Sequence, residues 1–400
     1  MKKKIIILII NKHIGEIDWI LPLLYKIKNK YNFITIFNND EIFSSLTKNK
    51  SLFLLWKDIN QDYLILKKRN DLILKIILKF TTLFNFKKIS EKINLKIHNI
   101  SKIKMTRKIK INEIKYIFLT YNNHSFWPQS LKNFCNNIQI VRFPEAQHIW
   151  DYNSKYNLKF TKYEKLISDM IILPYKYDVF SKNFLKKKQI INCGILKYEK
   201  KWSSKVRSIK DKKLPSKFFL VVTRPPFDGK NDKKYFSTES FEYMLRSIFN
   251  LAKNFPSYNI VFKTHPNGTE KKLITDLAIK NKFENYFFSN DHLFNLGAKA
   301  KICISFYTSG ILDLIYVNKN VIEFWLGDID NLDLIKNKKL HKWQTIYAKN
   351  KLVRNVENYK ELLDMTNKIL FKNNTIKQKK INLFFNENKK INKELNITKF

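Results

Sequence analysis

Residues 260–325 read IVFKTHPNGTEKKLITDLAIKNKFENYFFSNDHLFNLGAKAKICISFYTSGILDLIYVNKNVIEFW. Apolar runs at 260–263, 286–288, 302–305 and 321–325 alternate with helical spacing over 270–280, 293–298 and 309–317. Buried strands separated by helices predict a mainly parallel sheet covered on both faces. In such a sheet, ligands sit beyond the carboxyl ends of the strands. Two polar segments fall there. Lys263-Thr264-His265-Pro266-Asn267-Gly268 follows one strand, and Phe306-Tyr307-Thr308-Ser309-Gly310 follows another and runs into a helix carrying Asp313. Thr308, Ser309 and Gly310 offer hydroxyls and backbone N–H groups at a helix start, which suits an anion. His265 is suited to donate to a phosphate oxygen, with Pro266 stiffening its turn. Lys263, and Arg224 beyond an apolar run at 218–222, add charge to the same rim. Singly, a strand-end histidine caps a loop and a Thr-Ser pair caps a helix. Together, at matched strand ends, they predict a nucleotide-phosphate pocket.

Upstream the same alternation holds. Residues 4–10 and 33–37 read as strands, and 17–28 as the helix between them, with Pro22 as a kink or first-turn residue. Short apolar runs recur at 116–119, 138–141, 170–173 and 190–193. Residues 62–110 read as a basic helical insertion. Within it, 71–86 forms an amphipathic stretch suited either to an anionic membrane surface or to packing on the first sheet. The lysine-rich segment 200–216 reads as a linker. A helix over 241–253 completes the second series. The expected organisation is an N-terminal Rossmann-like domain over 1–200, a C-terminal one over 216–330, and a basic helical tail over 331–400.

Composition narrows the function classes. The chain has 400 residues, 76 Lys+Arg against 34 Asp+Glu, and a formal charge of +42. Only seven of the cations are arginine, and Lys, Asn and Ile share A/T-rich codons, so genome bias accounts for the charge without a polyanionic ligand. A basic surface held near anionic lipid or a phosphorylated substrate is the other reading. The lysines are spread rather than clustered and no nucleic-acid motif occurs, so no nucleic-acid partner is expected. Cys135, Cys193 and Cys303 are isolated, which disfavours a zinc site or a disulfide framework and suits a reduced cytoplasmic protein. The apolar run at 5–10 is too short for a secretory signal and is followed by Asn11-Lys12-His13, so it reads as a buried strand. No stretch reaches the roughly 18 apolar residues of a membrane span. There is no GxGxxG, GxxxxGK[ST] or GxSxG motif, which removes most support for dinucleotide enzymes, P-loop NTPases and serine hydrolases. Asp328-Ile329-Asp330 reads as a solvated turn rather than a metal-holding pair.

The His-Pro after a strand, the Thr308-Ser309 pair opening a helix and the acid at Asp313 resemble the C-terminal half of certain GT-B glycosyltransferases of bacterial surface polymers. These are the polysialyltransferases and lipooligosaccharide sialyltransferases, capsule transferases using CMP-activated Kdo, and CDP-glycerol glycerophosphotransferases. Asn192-Cys193-Gly194-Ile195-Leu196-Lys197-Tyr198 resembles the glycine turn that closes the N-terminal half of these enzymes. In the last group the pattern begins with an acid and later carries a proline, where this chain has Phe306 and Asn320. The resemblance implies an α/β GT-B fold, with two Rossmann-like domains facing a central cleft. It implies phosphate binding by His265 and Thr308-Ser309, a ribose contact at Glu323, and no metal or other cofactor. The partners it implies are a nucleotide-sugar donor, with a CMP-activated acidic sugar favoured, and a surface polysaccharide or glycolipid acceptor. The location it implies is cytoplasmic, peripheral at the inner membrane. The base that deprotonates the acceptor hydroxyl then comes from the N-terminal half. Glu16 and Glu145 are the candidates, with His13 and His148 as rivals. Phe126-Trp127-Pro128 and His148-Ile149-Trp150 offer stacking surface for sugars, or core. A CDP-polyol phosphotransferase of the same architecture, or a non-catalytic basic scaffold, are the alternatives.

Overall fold

A computed structural model describes residues 3–65, 113–120, 137–143, 169–173, 190–192, 196–209, 214–226, 237–265, 268, 270–318, 320–326, 335–337, 342–349 and 351–372. The chain opens β1 (Lys4–Ile10), α1 (Gly15–Ile27), β2 (Tyr31–Phe37), α2 (Asp40–Lys48), α3 (Lys50–Ile59) and β3 (Asn60–Ile65). β4 (Ile114–Thr120), β5 (Gln139–Phe143), β6 (Met170–Leu173) and β7 (Ile190–Asn192) follow. These seven strands form one sheet in the order β3-β2-β1-β4-β5-β6-β7, parallel throughout. A 3-10 turn (Leu196–Tyr198) and α4 (Lys200–Ser208) lead onward.

The second series runs β8 (Phe218–Val222), α5 (Thr238–Asn254), β9 (Asn259–Lys263), α6 (Glu270–Lys280), β10 (Tyr286–Phe288), α7 (Leu293–Lys299), β11 (Ile302–Ser305), α8 (Ile311–Val317) and β12 (Val321–Phe324). An antiparallel ribbon of β13 (Ile335–Asn337) and β14 (Lys342–Gln344) comes next, then α9 (Ile346–Lys349), β15 (Arg354–Val356) and α10 (Tyr359–Phe371). The second sheet has the order β10-β9-β8-β11-β12-β15, again all parallel. Both sheets therefore reverse direction beside their first strand, at β1/β4 and at β8/β11. Such switch points open crevices at the carboxyl ends. One buried apolar cluster runs from Ile6, Ile17 and Leu24 through Trp202 to Phe218, Phe294 and Leu312, joining the two halves.

Several boundaries differ from expectation. Residues 40–59 carry no expected element yet form two helices, capped by the side chains of Asn39 and Asn49. Asp62–Ile65, expected at the head of a helical insertion, pairs with β2 as strand; the rest of that insertion lies outside the described residues. The expected linker is helical over Lys200–Ser208, because Trp202 and Val206, four residues apart, give the lysine-rich segment a buried face. The tail is not uniformly helical, since β15 pairs with β12 as a sheet edge. Pro22 lies inside α1, beyond its first turn, and is buried.

Candidate functional site

Strand register sets out the second-half rim. Val222 pairs with both Lys263 and Ser305, and Ser305 pairs with Glu323, so four strands end in one transverse row. Two residues beyond that row stand Arg224, His265, Tyr307 and Trp325. Tyr307 packs against Trp325 with ring centroids 5.7 Å apart and planes tilted by 32°. Burial, aided by the charges of Arg224 and His13, pulls the His265 imidazole down to about 4, so it is neutral at pH 7. His13 belongs to the loop after β1, so the two halves share one electrostatic environment. Lys263 Nζ donates to Asn290 O at 2.9 Å. Burial brings its ammonium down to about 8, although Asp291 and Asp18 hold it up.

The Thr308-Ser309-Gly310 turn is tighter than expected. Tyr307 sits in the left-handed region at φ 41° and Gly310 N donates to Thr308 Oγ1 at 3.3 Å. The N–H groups of Ile311, Leu312 and Asp313 bond to the carbonyls of Thr308, Ser309 and Gly310. Of the three expected backbone donors, Gly310 N is thus committed to the turn itself, and α8 begins at Ile311 rather than Ser309. Ser309 remains exposed and Thr308 half-buried.

The acids take other places than expected. Glu16 is fully buried, and its carboxylate accepts from Asn11 N at 2.8 Å and Lys12 N at 2.9 Å, which closes the loop carrying His13. Asp313 accepts from Lys197 Nζ at 2.7 Å and Tyr198 Oη at 3.1 Å. Lys197 also bonds Asp18 of α1, and Asp18 accepts from His292 Nε2 at 2.8 Å. His292 Nδ1 accepts from Phe294 N, which leaves Nε2 as the donor. Burial alone would push Asp18 up, but Lys197 and His292 outweigh it and hold its carboxyl well below the usual range. Burial likewise disfavours the Lys197 charge, yet Asp18 and Asp313 prevail and raise its pKa. A polar tie nearby joins Ser51 Oγ to Asp291 at 2.8 Å, with Asn295 Nδ2 donating to Ser51 and to Ile209 O. Lys197, His292, Asp291 and Glu270 are buried polar residues to which sequence reasoning gave no role. The glycine-turn stretch ending in Lys197-Tyr198 was the available signal.

Glu323 is fully buried, accepts from Thr345 Oγ1 at 2.5 Å, and is pushed up to about 8 by burial. Arg142 is buried and donates to Thr120 O at 3.1 Å. Pro266, Glu145, His148, Trp127, Trp150, Cys135, Cys193 and Asp328–Asp330 lie outside the described residues.

Two facing Rossmann-like sheets with a cleft at their switch points define the GT-B architecture. No family model matches the chain, and no curated protein matches it. Solved structures do. The Methanocaldococcus jannaschii UDP-GlcNAc 2-epimerase, in complex with UDP-GlcNAc and UDP, aligns with TM-score 0.55 at 12% identity, over 93% of this chain and 94% of its own. Staphylococcus aureus MnaA with UDP aligns at 0.52 and 11%, over 92% and 88%. The glycotransferase of kitacinnamycin aligns at 0.51 and 7%, over 98% and 96%. At these identities the likeness establishes the fold. No described helix is long and apolar enough to cross a membrane.

Proposed function

We propose that the protein is a GT-B glycosyltransferase that binds a nucleotide sugar at the carboxyl ends of β8, β9, β11 and β12. It transfers the sugar to a growing surface polysaccharide or lipopolysaccharide at the cytoplasmic face of the membrane. One observation carries the reading: Arg224 and His265, two residues past a shared strand-end row, lie within electrostatic reach of each other and of His13 from the opposite half. Arg224, Lys263 and His265 would stabilise the departing phosphate, with Thr308 and Ser309 hydroxyls donating; Glu323, expected at the ribose, is buried against Thr345 and is left out of the scheme. No metal is needed in this scheme. His13 is the favoured base. Glu16 serves the loop that holds it, and Glu145 stays a rival.

A CMP-activated acidic sugar is the preferred donor. Epimerisation of a UDP-sugar is the second reading, favoured because two of the similar structures are named for UDP-GlcNAc 2-epimerase or UDP. Thermal stabilisation by CMP, CDP, UDP, GDP and TDP tests both, since a ligand at about 100 times its Kd adds about 2.7 kcal/mol. One nucleotide is expected to stabilise the wild type and to lose most of that effect in His265→Ala and Ser309→Ala. Incubation with the matching sugar nucleotide then separates transfer from epimerisation by product. If no nucleotide stabilises the protein, the proposal fails. Because a bound phosphate favours the imidazolium, nucleotide affinity should rise as pH falls from 7 toward 5. His265→Asn should flatten that profile.

A further inference from the structure

The loop that carries His265 is held by a residue outside the reaction scheme above. Glu270, the first residue of α6, is fully buried, and its Oε1 accepts from His265 N at 2.5 Å and from Thr223 Oγ1 at 3.3 Å. Thr223 directly precedes Arg224, and Thr223 N donates to Lys263 O at 3.0 Å. A single carboxylate therefore spans the exits of β8 and β9, the two strands that lead, two residues on, to Arg224 and His265. The turn between is built around it. Gly268 N donates to His265 O at 2.9 Å, and a Cβ on Gly268 would lie 1.6 Å from Glu270 Oε2. The glycine leaves room for the carboxylate to fold back under the loop. Burial raises the Glu270 pKa against the opposing bonds from His265 N and Thr223, and a buried donor left unmade carries its full desolvation cost.

We propose that Glu270 is a positioning residue, which fixes the β8 and β9 exit loops so that Arg224 and His265 are presented together to the phosphate of a nucleotide. This rests on the phosphate-site reading, and it adds a residue that touches no ligand. Glu270→Gln keeps an oxygen that can accept from His265 N, whereas Glu270→Ala removes it. Gly268→Ala attacks the same contact from outside, by driving the carboxylate out of its place.

The test uses the full chain with selectively labelled histidine, the His265 signal being identified by its loss in His265→Asn. In the ligand-free protein, Glu270→Ala and Gly268→Ala should raise the pH at which His265 titrates, from about 4 toward its ordinary range, as the loop leaves its burial and the Arg224 charge. Glu270→Gln should leave it near the wild-type value, which separates geometry from loss of the carboxylate charge. By calorimetry with UDP and with CMP as probes, the Ala variants should bind at least about tenfold more weakly, the scale of a displaced binding group. Glu270→Gln should stay close to wild type. Lower thermal stability in Glu270→Ala with unchanged His265 titration and unchanged nucleotide affinity would overturn the proposal, as would Glu270→Gln behaving like Glu270→Ala. If the wild type binds neither probe, the nucleotide reading falls, while the ligand-free titration still decides whether Glu270 positions His265.

Discussion

Glu323 has one carboxyl oxygen bonded to Thr345, and the other has no hydrogen-bond partner among the described residues. Burial keeps its proton on up to about 8, against an ordinary value of 4.5. Between those values the folded chain keeps a proton that the unfolded chain has released. Stability must therefore fall as pH rises through the window, by at most about 1.4 kcal/mol per unit. Glu323→Gln should lack this slope and outlast the wild type at pH 8, though not at pH 5. Urea melts at pH 5, 6.5 and 8 read the difference, and parallel losses in both proteins would assign the slope to another group. At this scale the strand-end positions of Lys263, His265 and Arg224 were legible, because each lies at or just past the end of an apolar run, which is a local fact. The acids were not legible, because what occupies a carboxylate is set by distant chain. Asp313 looks open in sequence until Lys197 arrives from 116 residues away, and Glu16 until its own loop folds back on it.

Strands with continuous apolar runs, β6, β10 and β11, begin and end at the expected residues, as does α6, which was read from helical spacing. The strands missed are short and depend on neighbours. β3 and β15 are strands because β2 and β12 offer them an edge, and no apolar run of their own announces it. α4 was hidden by its lysines, although Trp202 is buried within the cluster that joins the two halves. Trp202→Ala should cost about 3–5 kcal/mol, the usual range for a large aromatic removed from a core. A linker tryptophan would cost almost nothing. Chemical denaturation distinguishes the two, and a change under about 0.5 kcal/mol, typical of surface positions, would restore the linker reading.

The whole molecule is tied across its cleft by the cluster Asp18–Lys197–Asp313, with His292 and Tyr198 attached. Lys197→Met leaves two carboxylates facing each other without their cation, and should cost about 3–5 kcal/mol. Adding Asp18→Asn and Asp313→Asn removes the stranded charges and should recover most of that loss. Equal stability of Lys197→Met and wild type would show that the tie contributes nothing. The same cluster also orders events in time. Asp18 is synthesised 179 residues before Lys197, an interval on the order of ten to thirty seconds at ordinary ribosomal rates. Every described strand of the first sheet has been synthesised by then, and Asp313 is still 116 residues away. During translation, then, Lys197 meets Asp18 as the N-terminal half is completed, and the last third of the chain brings Asp313 and His292, so the tie across the cleft is the last of these contacts to form.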